Sequence, residues 1–273
     1  MPETVEALLL ALLQGVTEFL PISSSGHLLL GQYFFGLEQE RFGLAFDMVL
    51  HMGTLIAVVW FFRRELWAMG RAFARSLPRP ALSEPTERLA YLVLVATVPA
   101  AVAGFLLQGV LESSLRSPWV VAGGFAVSGA LFIFAESVGK KDGGAASMRV
   151  PGAAVIGLGQ VVSLIYGVSR SGSTLAFGML VGLERTEAAR FSFLMSIPIT
   201  AGAIAAEVPE LARLGLEFGG LGVFAAGLAI SAVTAYLTIR FLLAFFARHT
   251  LRPFAYYCFF ASAVVFGMLL LGV

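Results

Sequence analysis

The chain has 273 residues, 58% of them hydrophobic and only 13% charged, with a formal net charge of +1. A soluble domain carries roughly a quarter charged residues, so water is not the main solvent of this chain, and the near-neutral balance gives no footing for a nucleic-acid partner. The single cysteine, Cys258, excludes an internal disulfide and a cysteine-rich metal site.

Apolar stretches of about 20 residues recur, the length that crosses a hydrocarbon core of roughly 30 Å. The opening MPETVEALLL carries Glu3 and Glu6 and no base, which argues against a cleaved signal peptide. In chain order the segments expected to be helical are 4–20, 24–36, 42–62, 88–111 and 119–136, then 152–166, 172–183, 190–206, 216–239 and 254–272. At about 1.5 Å per residue, 24–36 and 172–183 reach some 20 Å or less. They are too short to span. Each follows a Gly/Pro/Ser break after another helix, so each is expected to form a hairpin that enters the membrane and leaves by the same side. The arginine-rich stretch 63–88, with Pro78, Pro80 and Pro85, is the only linker-like one.

A shift of 146 residues lays Ser23-Ser24-Ser25-Gly26 on Ser169-Arg170-Ser171-Gly172 and Gln14 on Gln160; one residue of slippage later, Phe46-Asp47 falls on Phe191-Ser192. The expected architecture is a single membrane domain, 1–273, all-α and polytopic, built from two homologous repeats over 1–140 and 150–273. Each repeat holds a re-entrant hairpin and three transmembrane helices, giving six full spans and about ten helices. Three spans per repeat insert the second half upside down relative to the first, an inverted-topology pair. On that topology 63–88, 140–149, 184–190 and 240–252 share one face and hold 14 of the 18 Lys and Arg residues. The positive-inside rule makes that face cytoplasmic and puts both termini outside. Arg41, Arg116 and Arg213 stay on the other face.

Irregular backbone at membrane depth is tolerated where protein or a wet cavity satisfies it, so hairpins entering from opposite faces are expected to bring their breaks together. In the first, Gln14 and Glu18 lie four residues apart on one helical face, and Pro21 is expected to end that helix. Ser23 or Ser24 can cap the next helix, with His27 in its first turn. In the second, GVSRSGST sets Ser169 and Arg170 just before a helix whose first turn holds Ser171, Ser173 and Thr174. Two helix N-termini facing one cavity make an anion site, and the Arg170 fork suits phosphate oxygens. Gln14 and Glu18 offer hard oxygens of the kind Mg²⁺ or Ca²⁺ accepts beside phosphates. His27 titrates near neutrality and can serve as acid, base or nucleophile. Together these groups describe phosphoryl-transfer chemistry.

TEFLPISSSGH, GVSRSGST and the FDMVLHMGT and FSFLMSIP runs that follow them make the chain resemble the bacterial undecaprenyl pyrophosphate phosphatases, also called bacitracin-resistance proteins, over essentially its whole length. The resemblance implies an integral enzyme of the bacterial inner membrane, its site open to the periplasmic face. It would remove one phosphate from a polyprenyl pyrophosphate lipid and so recycle the cell-wall lipid carrier. The family's acidic motif falls on Gln14 and Glu18, as ligands of a divalent cation, Mg²⁺ or Ca²⁺. Its histidine is His27, its first-motif serines are Ser23 and Ser24, and its SRSG arginine and serine are Arg170 and Ser169, with Thr174 nearby. Ser25, Gly26, Ser171, Gly172 and Ser173 complete the expected substrate cradle, and Glu18, His27, Arg170 and Ser24 are the expected catalytic set. Two positions depart from the family pattern: Gln14 stands where many members have Glu, and Tyr166 where most have Pro.

Three nucleophiles fit these residues: His27, Ser24 with His27 or Glu18 as base, and water. A polyprenyl-phosphate carrier between leaflets would share the anion cradle but needs no acid, nucleophile or carboxylate-bound ion. Beside the lipid substrate and membrane lipids, a homodimer is left open. Gln160 is expected to be a repeat remnant that hydrogen-bonds backbone, His51 and Asp47 to be structural, and His249 to be solvated.

Overall fold

A computed structural model describes residues 3–35, 44–77, 82, 84–139, 142–214 and 220–272. Arg41, Pro78, Pro80, the residues 216–219 and the side chain of Arg213, all invoked above, lie outside the described residues. Eleven α-helices form among those described: α1 (Glu3–Thr17), α2 (Ser24–Phe35), α3 (Leu44–Phe61), α4 (Arg63–Ser76), α5 (Pro85–Ser113), α6 (Pro118–Val138), α7 (Val150–Val162), α8 (Arg170–Leu180), α9 (Arg185–Leu214), α10 (Gly220–Phe246) and α11 (Arg252–Leu270). The chain is a polytopic helical membrane protein. Five helices are long and apolar enough to cross a membrane, Pro85–Leu107, Pro118–Val138, Arg185–Val208, Leu221–Phe246 and Arg252–Leu270.

Two expectations need correction. The stretch after residue 62 is not a plain linker: α4 occupies its first half and leaves α3 at 78° after the break at Phe62, so the expected span over 42–62 is the first arm of a bent pair. Nor does α1 continue to residue 20. It ends at Thr17, and residues 18–22 form a turn. A proline ring clashes with the carbonyl four residues back, and four residues before Pro21 is Thr17, whose hydroxyl caps its own turn by donating to Leu13 O at 2.8 Å.

Two short helix pairs form, α1 with α2 and α7 with α8, and α7 ends at Val162 instead of the expected 166. Because lipid tails are as apolar as leucine, helices in a membrane associate through close packing and small residues, and here glycines set the approach. Gly15 of α1 lies on Ser231 and Thr234 of α10, Gly53 of α3 on the Leu228 carbonyl of α10, and Gly157 of α7 on Ala96 O and Pro99 of α5. Gly124 of α6 abuts the backbone of Tyr166, Gly167 and Val168, so α6 supports the break of the second hairpin. Phe125 and Phe132 of α6 and Phe191 and Phe193 of α9 fill the space between as fully buried side chains.

At one end, polar contacts gather the four basic segments. Arg190 donates to Glu65 at 2.7 and 3.2 Å and to Glu187 at 3.1 Å, and Arg88 donates to Met148 O at 2.9 Å. The side chain of Glu136, 2% exposed, accepts both Arg185 nitrogens at 2.8 and 2.7 Å and the Leu251 N–H at 2.8 Å.

In Gly157→Val the new branches meet the Ala96 carbonyl and the Pro99 ring, and overpacking of this kind costs ~2 kcal/mol. Thermal unfolding in detergent should show a midpoint several degrees lower, while Gly123→Ala, with nothing within 4 Å of the added carbon, should leave it unchanged.

Candidate active site

The two breaks touch. Ser171 Oγ donates to Leu20 O at 3.0 Å across the hairpins, Gly26 faces Gly167, and Gly172 faces Pro21. Gly167 has φ +87 and a Cβ there would run into Val121 O, so this turn is one only glycine can make in that space. The Ser169 hydroxyl then caps α8 by accepting Gly172 N–H at 3.1 Å, while Ser169 N–H donates to Ser128 Oγ at 3.1 Å. On the first hairpin, Ser23 takes φ +69 and its hydroxyl accepts Gly26 N–H at 3.3 Å, capping α2. The backbone strain of a non-glycine in that region costs about 1–3 kcal/mol. The turn is held by Ile22 N–H donating to Leu20 O at 2.7 Å and His27 N–H donating to Ser23 O at 3.2 Å.

Glu18 is the centre of the junction. It is 5% exposed, and a buried carboxylate requires paired charge and hydrogen bonds. Its Oε1 pairs with Arg170 Nη2 from the other hairpin. Its Oε2 accepts from Ser24 Oγ at 2.8 Å and from Gln14 Nε2 at 2.9 Å. The second arm of the Arg170 fork donates to Thr200 Oγ1 at 2.6 Å. Gln14, fully buried, also donates to His51 Nδ1 at 2.9 Å, and its Oε1 is buried with no partner. Two oxygens facing each other would repel, so Glu18 dictates which way the Gln14 amide points, and His51 Nδ1 accepts from it.

His27 is held beside this network rather than in it. Its Nδ1 lies 2.7 Å from Ser23 O and its Nε2 2.6 Å from the Tyr257 hydroxyl, with the two rings stacked at 5.8 Å. A carbonyl only accepts, so Nδ1 carries the proton and Nε2 is the free lone pair that receives Tyr257 O–H. Of the other expected residues, Ser25 Oγ and Ser23 Oγ lie 3.3 Å apart, as do Ser169 Oγ and Ser171 Oγ. Thr174 bonds Arg170 O at 2.9 Å and Ser192 Oγ at 2.5 Å, which turns its hydroxyl into the α8–α9 packing. Ser173 Oγ is buried without a partner.

The expectation that Gln160 bonds backbone fails: it is 1% exposed and neither side-chain polar atom has a partner among the described residues. His249 is exposed as expected. The sequence left four contributors out of the site. His51 is two turns into α3 and reads as structural, and Thr200, Ser128 and Tyr257 are ordinary span residues until folding brings them to Arg170, Ser169 and His27. A cavity of about 400 Å³ lined by Arg64, Glu65, Glu187 and Arg190 lies elsewhere, at the basic end.

The molecule is thus a multi-pass helical membrane protein whose two broken hairpins meet in a polar junction. It is a member of the bacitracin resistance protein BacA family, whose model matches residues 7–264. The chain is similar to the undecaprenyl-diphosphatase of Rubrobacter xylanophilus, 56% identical over 99% of this chain and 100% of that one. It is also similar to that of Pelobacter propionicus, 41% identical over 98% of each, and to that of Methanobrevibacter smithii, 34% identical over 97% of each.

Removing one partner of a buried ion pair leaves an uncompensated charge, which costs ~3–5 kcal/mol. Glu18→Ala should therefore lower the unfolding midpoint more than the Glu18→Ala/Arg170→Ala double variant does. A coupling of at least ~1 kcal/mol is expected from the four-protein thermal cycle.

Proposed function

We propose that this chain is an undecaprenyl-diphosphatase of the bacterial inner membrane, which cleaves the terminal phosphate from the lipid diphosphate at the hairpin junction. The observation that carries the reading is the Arg170–Glu18 pair, flanked by Ser24 and by the N-termini of α2 and α8. Arg170 and the free N–H groups of the two helix ends receive the phosphate oxygens, and Thr200 holds the fork in position. Loose phosphoryl transfer asks mainly for positioning and charge stabilisation.

Glu18 is placed to take the Ser24 proton, because the Ser24 O–H already points at its Oε2; this favours Ser24 as the nucleophile. His27 then serves to move a proton at the leaving oxygen or at the water that releases phosphate. A carrier would have no use for a serine held on a carboxylate.

Among the described residues no three His, Cys, Asp or Glu side chains form a cage. The donor set still fits a hard cation shared with substrate phosphates, since Mg²⁺ keeps several waters and takes one or two protein ligands. Glu18 and the unpartnered Oε1 of Gln14 would hold it, and when bound it would neutralise phosphate charge.

We read the chain as two inverted repeats, with α1, α2, α3, α5 and α6 answering to α7, α8, α9, α10 and α11. Support comes from exchanged packing: α1 lies on α10 and α7 on α5, while α6 and α11 lie on each other. On this topology α3, the apolar arm of the bent pair, supplies the sixth span, the basic end is cytoplasmic, the site opens to the periplasm and both termini are outside.

The test is phosphate release from undecaprenyl pyrophosphate by the purified protein. Arg170→Ala and Ser24→Ala should each lower turnover by about 100-fold or more, and EDTA should abolish it until Mg²⁺ or Ca²⁺ is restored. Near-wild-type turnover in Arg170→Ala or Glu18→Ala overturns the assignment. Tyr257→Phe, which keeps the ring stack and loses the hydroxyl, should lower kcat roughly tenfold, the worth of one hydrogen bond, with KM within about twofold.

A further inference from the structure

We propose that the outward face of α4 is a binding surface for anionic phospholipid headgroups, separate from the hairpin junction. Its position comes from α3, an apolar helix that ends at Phe61, with only Phe62 before α4 begins. α4 leaves α3 at 78°; with α3 crossing the membrane, as in the topology proposed above, α4 lies near the membrane plane at headgroup depth.

One face of α4 is buried: Met69, Ala72 and Ser76, three or four residues apart, pack inward, with Ser76 Oγ 3.2 Å from the Tyr91 hydroxyl of α5. The opposite face is a stripe at positions 63, 67, 71 and 75, four apart, occupied by Arg63, Trp67, Arg71 and Arg75, with Arg64 alongside; all are exposed. Trp67 is 70% and Trp60 60% exposed. The Arg63 guanidinium sits 4.6 Å from the Trp60 ring centroid while its Nη1 donates to Trp60 O at 2.8 Å.

Among the described residues no carboxylate pairs with Arg63, Arg64, Arg71 or Arg75, and the one acid of α4, Glu65, is turned inward onto Arg190. The face therefore offers four uncompensated forks for phosphate oxygens around an indole exposed at the depth where tryptophans seek the lipid interface. Soluble acidic partners would match the charge alone. An anionic amphiphile matches both the charge and the indoles.

The experiment uses the full-length Trp119→Phe protein, in which Trp60 and Trp67 are the only indoles, reconstituted into phosphatidylcholine vesicles. Brominated phosphatidylglycerol or brominated phosphatidylcholine is added at equal mole fraction and indole quenching measured. The apparent association constant should be about fivefold or more higher for the anionic lipid, and the preference should vanish in 1 M NaCl, where charges more than about 3 Å apart are screened. It should vanish as well in a variant carrying R63Q, R64Q, R71Q and R75Q. Equal quenching by the two lipids at low salt, no quenching by either, or a preference that survives high salt overturns the proposal. The salt series needs no arginine substitution, so it stands even where the fourfold variant fails to fold. A Trp60→Phe/Trp67→Phe protein reports from Trp119 alone, and a preference of equal size there would also overturn the assignment to α4.

Discussion

The ion pair between Glu18 and Arg170 joins two segments that lie 152 residues apart in the chain, and the polar centre depends on it. A carboxylate buried among apolar helices is tolerated only with a paired cation and filled lone pairs. Arg170 supplies the first; Ser24 and Gln14 supply the second. Each of those partners is held in turn, Arg170 by Thr200, Gln14 by His51 and the break that carries Arg170 by Ser128. The polar centre is thus assembled from both hairpins, and neither could provide it alone.

What lets the hairpins meet is the absence of side chains. Gly26, Gly167 and Gly172 stand where one break faces the other or the flanking α6, and Gly124 lets α6 press against the peptide bonds of the second turn. In lipid, where burying apolar surface brings no gain over facing the tails, such close contact is the main source of helix cohesion. The same turns carry the hydroxyls of Ser23 and Ser169, which cap α2 and α8. The strained φ of Ser23 belongs to this arrangement: it sets the hydroxyl that caps α2 and the carbonyl that fixes the proton of His27 on Nδ1.

Gln14 has a distinct consequence for this chain. A glutamine beside Glu18 can donate, so the pair is joined by a hydrogen bond instead of repelling, and the second amide hydrogen reaches His51. The amide oxygen is left buried and, among the described residues, unpartnered. At the far end, Arg185 with Glu136 and Arg190 with Glu65 knit the basic segments together, whereas the arginines on the outer face of α4 remain unpaired among the described residues.

The sequence by itself determined the membrane class, the order of the helices and the two polar breaks, because run length and proline, glycine and serine punctuation act locally and survive without tertiary context. It also placed Glu18, Ser24, Ser169 and Arg170, since an ionisable or capping residue at a break in an apolar run stands out against its neighbours. It misjudged the end of α1, where Pro21 acts four residues upstream, and it missed α4, because an amphipathic helix crowded with arginines has the composition of a loop. Only the tertiary structure decided that Glu18 meets Arg170, that Tyr257 takes the free nitrogen of His27 and that His51, Thr200 and Ser128 belong to the site. Those partners come from separate helices, and a side chain's neighbour across a helix interface is set by packing geometry, which no local pattern encodes.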